Sequence, residues 1–394
     1  MAQLRWAEHG VRQTARWHSE NGTPAPARVI VIDDATNANA ALRLVAPDTV
    51  LLWRGDFENA KHLLKAMDRR LHARASRNTP AHDADLGRLF AAHRAERAER
   101  AELLGRVVVA LESDYTVRLR RAPDVRDACT HAYGPANTGD APEATLVSLS
   151  ELIGVIGAYQ WHRTGIEVPA LGARITPAYG VFTPTRDEYL DLVLEAPFPE
   201  SAPHPVVFDI GTGTGVLAAL IARRGARSVL ATDINPRAVR CATANVQQLD
   251  LSARVTVVEA DLWPADPALR ADVIVCNPPW LPGAPTSDLE LGIYDPASEV
   301  LHRFLDGLAD RLTPGGEGWL ILSDLAEILG LRSREEFVSR IAEAGLEVLG
   351  THETAPRHTR ARDTSDPLHA ARSRERTLLW RLAPRATHVA ASPR

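Results

Sequence analysis

The residues ADVIVC lead directly into Asn277-Pro278-Pro279-Trp280, and this tetrapeptide concentrates more chemistry than any other stretch of the chain. The apolar run reads as a buried parallel strand, which puts the tetrapeptide at its carboxyl end, where α/β sheets bind ligands. Two consecutive prolines keep the backbone extended and stop a helix from starting, so the carbonyls stay unpaired by secondary structure. The Asn277 side-chain oxygen and the Pro278 carbonyl are then two acceptors for both hydrogens of a planar NH2 group. Trp280 adds a flat apolar face for the π-system that carries such a nitrogen. An amide, aniline-like or guanidine nitrogen has a delocalised lone pair and is a poor nucleophile. Acceptors that fix its hydrogens favour pyramidalisation and aim the lone pair, which is catalysis by positioning and electrostatics. Asn277, Pro278, Pro279 and Trp280 are the candidate catalytic residues; the competing reading is a rigid Pro-Pro turn that only closes the strand.

A second constellation lies upstream. The sequence VVFDIGTGTGVLAAL at 206–220 reads as strand, glycine-rich turn and helix, with Asp209, Gly211, Thr212, Gly213 and Gly215 in the turn. A dinucleotide fingerprint would place its third glycine at position 216, which is Val216, so the spacing suits a cofactor without a pyrophosphate. Asp233 ends the next strand, where a carboxylate accepts from two ribose hydroxyls. The third strand runs into Glu259-Ala-Asp261-Leu262-Trp263, which puts Asp261 in reach of an adenine amine and lets Ile234 and Leu262 sandwich the ring. Each acid taken singly is also explained as a cap of the helix that follows it.

The elements that must position these residues alternate. Strands are expected at 206–210, 228–233, 255–259, 272–276, 318–322, 346–351 and 377–382, with helices at 215–224, 236–248, 297–312 and 334–344. This pattern makes 146–384 one α/β unit. Residues 1–145 form a separate, smaller α/β or α+β domain for substrate recognition or scaffolding. Its expected elements are strands at 28–33 and 49–53, helices at 37–45 and 59–71, and one charged helix across 85–111. The Gly-, Pro-, Asn- and Asp-rich stretch 132–144 is the linker candidate, and 385–394 reads as a tail.

With D-x-G-x-G-x-G at 209–215, then Asp233 and Asp261 in order, residues 180–384 resemble the class I methyltransferases that use S-adenosylmethionine. The resemblance implies a Rossmann-like seven-stranded sheet with an antiparallel last strand. It also implies S-adenosylmethionine as cofactor, held by Asp209, Gly211, Thr212, Gly213, Gly215, Asp233, Ile234, Asp261, Leu262 and Asn277. The asparagine-proline-proline-aromatic signature resembles the amino-methyltransferases of release-factor glutamines, of adenine exocyclic amines and of the guanine 2-amine in ribosomal RNA. Residues 180–188, GVFTPTRDE, are similar to the segment before the sheet in the glutamine methyltransferases. That likeness implies that Phe182, Thr183, Pro184 and Arg186 line the methionine end of the cofactor pocket. Two positions depart from the pattern: Trp280 stands where those enzymes usually have tyrosine, and the N-terminal region is longer than theirs.

Between the last two expected strands lies 352–376, too long for an ordinary hairpin, with six arginines, three histidines and four acids. It should overhang the substrate mouth, where Arg357, His358, Arg360 and Arg362 read as a clamp for a substrate anion, or else as a solvated loop neutralising itself. Tyr294 is a further substrate candidate. Composition narrows the partners. Net charge is −5, so a chain-wide polybasic surface for nucleic acid is excluded. The three cysteines are isolated, no cluster has metal-ligand spacing, and no apolar run approaches a membrane span. The N-terminus lacks a signal-peptide core, so a cytoplasmic protein is expected.

The leading functional reading is an N-methyltransferase acting on a planar nitrogen of a protein, peptide or small metabolite. The alternative is a ribosomal RNA guanine-N2 methyltransferase. A catalytically silent cofactor-binding protein is the third.

Overall fold

The computed structural model describes residues 2–75, 85–137, 143–184, 186–285, 288–357, 362–364 and 366–385. The chain divides into two compact units, Met1–Arg163 and Thr164–Arg394. The first holds β1 (Gln3–Glu8), β2 (Val11–Trp17), β3 (Arg28–Ile32), α1 (Ala38–Leu44), β4 (Thr49–Trp53), α2 (Phe57–Ala75), α3 (Leu86–Gly105), β5 (Val107–Leu111), α4 (Arg126–Tyr133), β6 (Thr145–Ser148) and α5 (Leu149–Thr164). Its six strands form one mixed sheet in the order β1-β2-β6-β5-β4-β3.

Two expectations for this unit are corrected. The boundary moves from 145 to 163, because β6 pairs with both β2 and β5 and so belongs to the first sheet. The single helix expected across 85–111 ends at Gly105, and the β-branched run Val107-Val-Val continues as β5, buried in the sheet. The β1–β2 hairpin had no assignment from sequence. Its turn is made by His9 and Gly10, both at positive φ (49° and 77°), which matches the twist of the flanking strands. Of the linker candidate, the first residues belong to α4, and 138–142 lie outside the described residues.

The second unit opens with a small hairpin, β7 (Ile166–Val168) and β8 (Ala173–Ile175), then α6 (Glu188–Glu195). The main sheet follows: β9 (Val206–Ile210), α7 (Val216–Arg223), β10 (Ser228–Asp233), α8 (Pro236–Gln248), β11 (Val255–Glu259), β12 (Ala271–Cys276), α9 (Glu299–Arg311), β13 (Leu312–Ser323), α10 (Leu325–Ile328), α11 (Arg334–Glu343), β14 (Leu346–Thr354) and β15 (Thr377–Pro384). Strand order is β11-β10-β9-β12-β13-β15-β14, and only β15 runs antiparallel to its neighbours, as expected. Order reverses between β9 and β12, so the crevice for a ligand opens at their carboxyl ends.

Strand side chains alternate between two cores. Val207, Val273, Val275, Trp319 and Ile321 pack with α6 and α7 on one face. Phe208, Ile274, Cys276, Leu320 and Trp380 pack with α9 and α11 on the other. Helix starts are set by short polar side chains: Asn235 accepts from the Arg237 N–H ahead of Pro236, and Ser333 with Glu336 closes a capping box. Among the described residues, no helix is long and apolar enough to cross a membrane.

Candidate functional site

The glycine-rich turn is organised from below by Asp209. Its carboxylate is fully buried at the end of β9 and accepts from Thr212 Oγ1 at 2.6 Å and the Ala218 N–H at 3.0 Å, both through Oδ2. Oδ1 is buried with no partner. Gly211, Gly213 and Gly215 all sit at positive φ (73°, 55° and 80°). They differ in what surrounds them. A Cβ at Gly213 would meet nothing within 4 Å, whereas one at Gly215 would lie 3.1 Å from the Ala242 Cβ. Gly213 therefore leaves room for a ligand, and Gly215 lets α8 approach the turn. Asn245 of α8, which sequence reasoning missed, accepts from Thr176 N–H at 2.8 Å and donates to the Thr214 carbonyl at 2.9 Å. A buried polar residue on an otherwise apolar helix face was its only signal.

Burial pushes the Asp209 carboxyl up to about 7 from an ordinary 3.8, against the pull of the Thr212 and Ala218 donors. The folded value lies above the unfolded one, so this group favours folding at low pH and loses that contribution as pH rises through about 7. Replacing it by Asn keeps the acceptor and removes the charge. Thermal melts from about pH 5 to about pH 8 should fall more steeply for the wild type than for Asp209→Asn. Parallel profiles would remove the buried carboxyl as the cause.

At the end of β10, Asp233 accepts from the Gly213 N–H at 2.9 Å and the Asn235 N–H at 2.9 Å, one through each oxygen. Burial raises its pKa against those backbone donors. The carboxylate thus ties the glycine turn to the next strand, and each oxygen keeps a second lone pair for a ligand hydroxyl. Beside it Ile234 is 65% exposed, an apolar surface left largely open. Leu262 is half-buried at positive φ (62°), and its carbonyl accepts from Thr232 Oγ1 at 2.7 Å. Asp261 is less available than expected. Its Oδ2 is held by the Arg303 guanidinium at 2.7 Å, a partner 42 positions away in sequence.

Asn277 follows β12 as expected, and its side-chain oxygen accepts from the Trp280 indole N–H at 2.8 Å. The tetrapeptide is therefore closed on itself by a side-chain hydrogen bond that the sequence did not suggest. Trp280 packs against both cores, and the Arg186 guanidinium lies 4.6 Å from its ring centroid. Arg186 in turn donates to Glu188 Oε1 at 2.9 Å and to Glu375 Oε1 at 3.0 Å, both carboxylates fully buried. Those two carboxylates hold it against the tryptophan face. Pro184 is buried, Thr183 is half-buried, and Phe182 packs where a Cβ on Gly292 would fall 3.0 Å away. Gly180, just before them, accepts from Asn235 Nδ2 at 3.3 Å, which brings this segment to the end of β10.

Tyr294 is not a surface contact. It is buried beside Gly283 and pairs through a parallel bridge with Leu281, bracing the chain after Trp280. The adjacent Asp295, also buried, accepts from the Val300 and Leu301 N–H groups and caps α9. In the basic loop, Arg357 pairs with Asp187 at 3.8 Å and with Asp191, so it is bound to α6. Arg372 pairs with Asp366 and Arg374 donates to the Ala370 carbonyl. Arg362 is exposed; His358 and Arg360 lie outside the described residues. Among the described residues, no group of three or more histidines, cysteines or acids is arranged to hold a metal.

Residues 173–330 match the family model of the methyltransferase small domain. Over 159 residues the chain is 35% identical to a release factor glutamine methyltransferase of Moorella thermoacetica, covering 39% of this chain and 55% of that one. It is 43% identical over 125 residues to a ribosomal protein L11 methyltransferase of Pelotomaculum thermopropionicum, covering 32% and 34% of the two chains. It is 30% identical over 124 residues to a tRNA1(Val) (adenine(37)-N6)-methyltransferase of Shewanella loihica, covering 29% and 51%. The chain spans about half the length of the first and third of these relatives and about a third of the second. Residues 173–330 of the second unit thus carry a methyltransferase domain, for which S-adenosylmethionine is the cofactor. Its site fits that cofactor on three features: the open space at Gly211 and Gly213, the unpartnered Asp209 Oδ1, and the exposed Ile234 beside Asp233.

Proposed function

We propose that the chain is an N-methyltransferase acting on a planar amide nitrogen of a protein, with a glutamine side chain as the acceptor. The observation that carries this reading is the Asn277 oxygen, held at 2.8 Å by the Trp280 indole at the carboxyl end of β12. An oxygen fixed in that way, with the Pro278 carbonyl, presents acceptors for the two hydrogens of an NH2 group and little else. The release factor glutamine methyltransferase among the relatives supports an amide over a base amine.

S-adenosylmethionine, when bound, supplies an electrophilic methyl group on a sulfonium. Asp233 would take the ribose hydroxyls, Ile234 and Leu262 the adenine, and Gly211 to Gly215 the methionine chain beyond the ribose. Asn277 and Pro278 hold the amide hydrogens so that the nitrogen lone pair turns out of conjugation. The new C–N bond forms as the methyl–sulfur bond breaks, and the N-methylated cation is acidic enough to lose its proton to water. No general base is required of the protein. A translation factor as substrate would place the reaction in the cytoplasm.

Transfer of tritiated methyl into a cell extract, fractionated into protein, RNA and small molecules, tests this. Label is expected in protein and should be released as methylamine on acid hydrolysis. Label in RNA recovered as N2-methylguanine would establish the guanine reading instead, and a methyl on carbon, sulfur or hydroxyl oxygen would overturn both.

A further inference from the structure

We propose that Arg186 is a positioning residue, pinned by Glu188 and Glu375, that holds the Trp280 indole so that its N–H fixes the Asn277 oxygen. The chain of contacts is continuous. Ser323 Oγ donates to Glu375 Oε1 at 2.5 Å, Arg186 donates to Glu375 at 3.0 Å and to Glu188 at 2.9 Å, and its guanidinium covers Trp280 at 4.6 Å. The indole then donates to Asn277 Oδ1 at 2.8 Å.

Each link has a physical reason. The indole nitrogen is a donor with no acceptor lone pair, so it meets the oxygen of the Asn277 carboxamide and never its NH2. That sets which end of the amide faces the tryptophan and leaves a lone pair on Oδ1 for a ligand hydrogen. The ring itself is held by packing and by the cation above it, an attraction that strengthens where water is excluded. The arrangement is costly. Arg186 Nη2 and Glu188 Oε2 are buried without partners, although two hydrophobic residues would pack there at less expense. A charged cluster that leaves atoms unsatisfied, yet covers the one indole touching Asn277, fits orientation better than stability.

The inference rests on the amide-methylation reading only for its effect on turnover, so its first test needs no methyl acceptor. The full chain has eight tryptophans. With 15N-labelled indoles, the Trp280 resonance is identified by its loss in Trp280→Phe. In Arg186→Met, hydrogen exchange of that indole should accelerate by about tenfold or more while the other indoles keep their rates. Arg186→Lys retains the cation and should fall between. If Arg186→Met loosens every indole, Glu188→Gln decides, because it keeps the size and an acceptor for Arg186. An increase confined to Trp280 supports the proposal, and an unchanged Trp280 rate overturns it. Wherever label from the extract assay identifies the acceptor, Arg186→Met should lower kcat and leave the calorimetric Kd for S-adenosylmethionine within about twofold. An exchange effect with no nitrogen methylated anywhere would count against the amide reading and leave the positioning role standing.

Discussion

Asn277→Ala is expected to lower turnover by about 100-fold or more, the scale for losing one preorganised polar group at a reacting centre. The substitution also leaves the Trp280 indole, which donates to Asn277 at 2.8 Å, without its acceptor. Cofactor affinity should change far less, because Asp233, Ile234 and the glycine turn are built on other strands. Asn277→Asp separates the two contributions. It keeps an oxygen for the indole and adds a negative charge facing a cationic sulfonium. That charge strengthens ground-state binding without aiding the transition state, so tighter cofactor binding with slower turnover is expected. Initial rates paired with calorimetry on the demethylated cofactor read both effects. Turnover within about threefold of wild type in Asn277→Ala would remove this residue from the reaction.

Asp233→Ala is expected to weaken S-adenosylmethionine binding by about 1.5–3 kcal/mol, the loss of charge-assisted hydrogen bonds to a half-buried carboxylate. The carboxylate also accepts from the Gly213 and Asn235 N–H groups, so the turn itself loosens. Asp233→Asn is no conservative control here. Whichever way its amide points, the NH2 faces one of those two backbone donors. It should bind the cofactor no better than Asp233→Ala, and calorimetry showing near-native affinity for Asp233→Asn would contradict the geometry. Arg303 offers a milder comparison. Releasing Asp261 from its exposed ion pair should alter binding much less, since such pairs are worth roughly 1 kcal/mol or below.

Much of the second unit was legible because its signals are local. The strands at 206–210, 228–233 and 255–259 and the helix at 236–248 fall where the apolar periodicity places them. The first unit was harder. Its hairpin turns on His9-Gly10 rather than on the stronger Asn-Gly or Asp-Gly signals, and a charged helix runs into β5 with one residue between them. In the 352–376 loop, the partner of Arg357 was not legible because Asp191 belongs to α6, 166 positions earlier.

By itself the sequence determined the strand–turn–helix at 206–220, the acids at the ends of successive strands, and Asn277-Pro278-Pro279-Trp280 at the end of the fourth. Each depends on side-chain period, turn residues or proline stiffness over a few positions, and these act within the chain segment that carries them. Tertiary structure alone decided which polar groups meet. Arg186 and Glu375 are 189 positions apart and touch only because β15 enters the sheet antiparallel, starting at the edge where β9 and β12 end. Contacts distant in sequence likewise gave Asp261 to Arg303, buried Tyr294 beside Gly283 and assigned β6 to the first sheet. A side chain's partner is set by strand order and register, and no short stretch of sequence contains either.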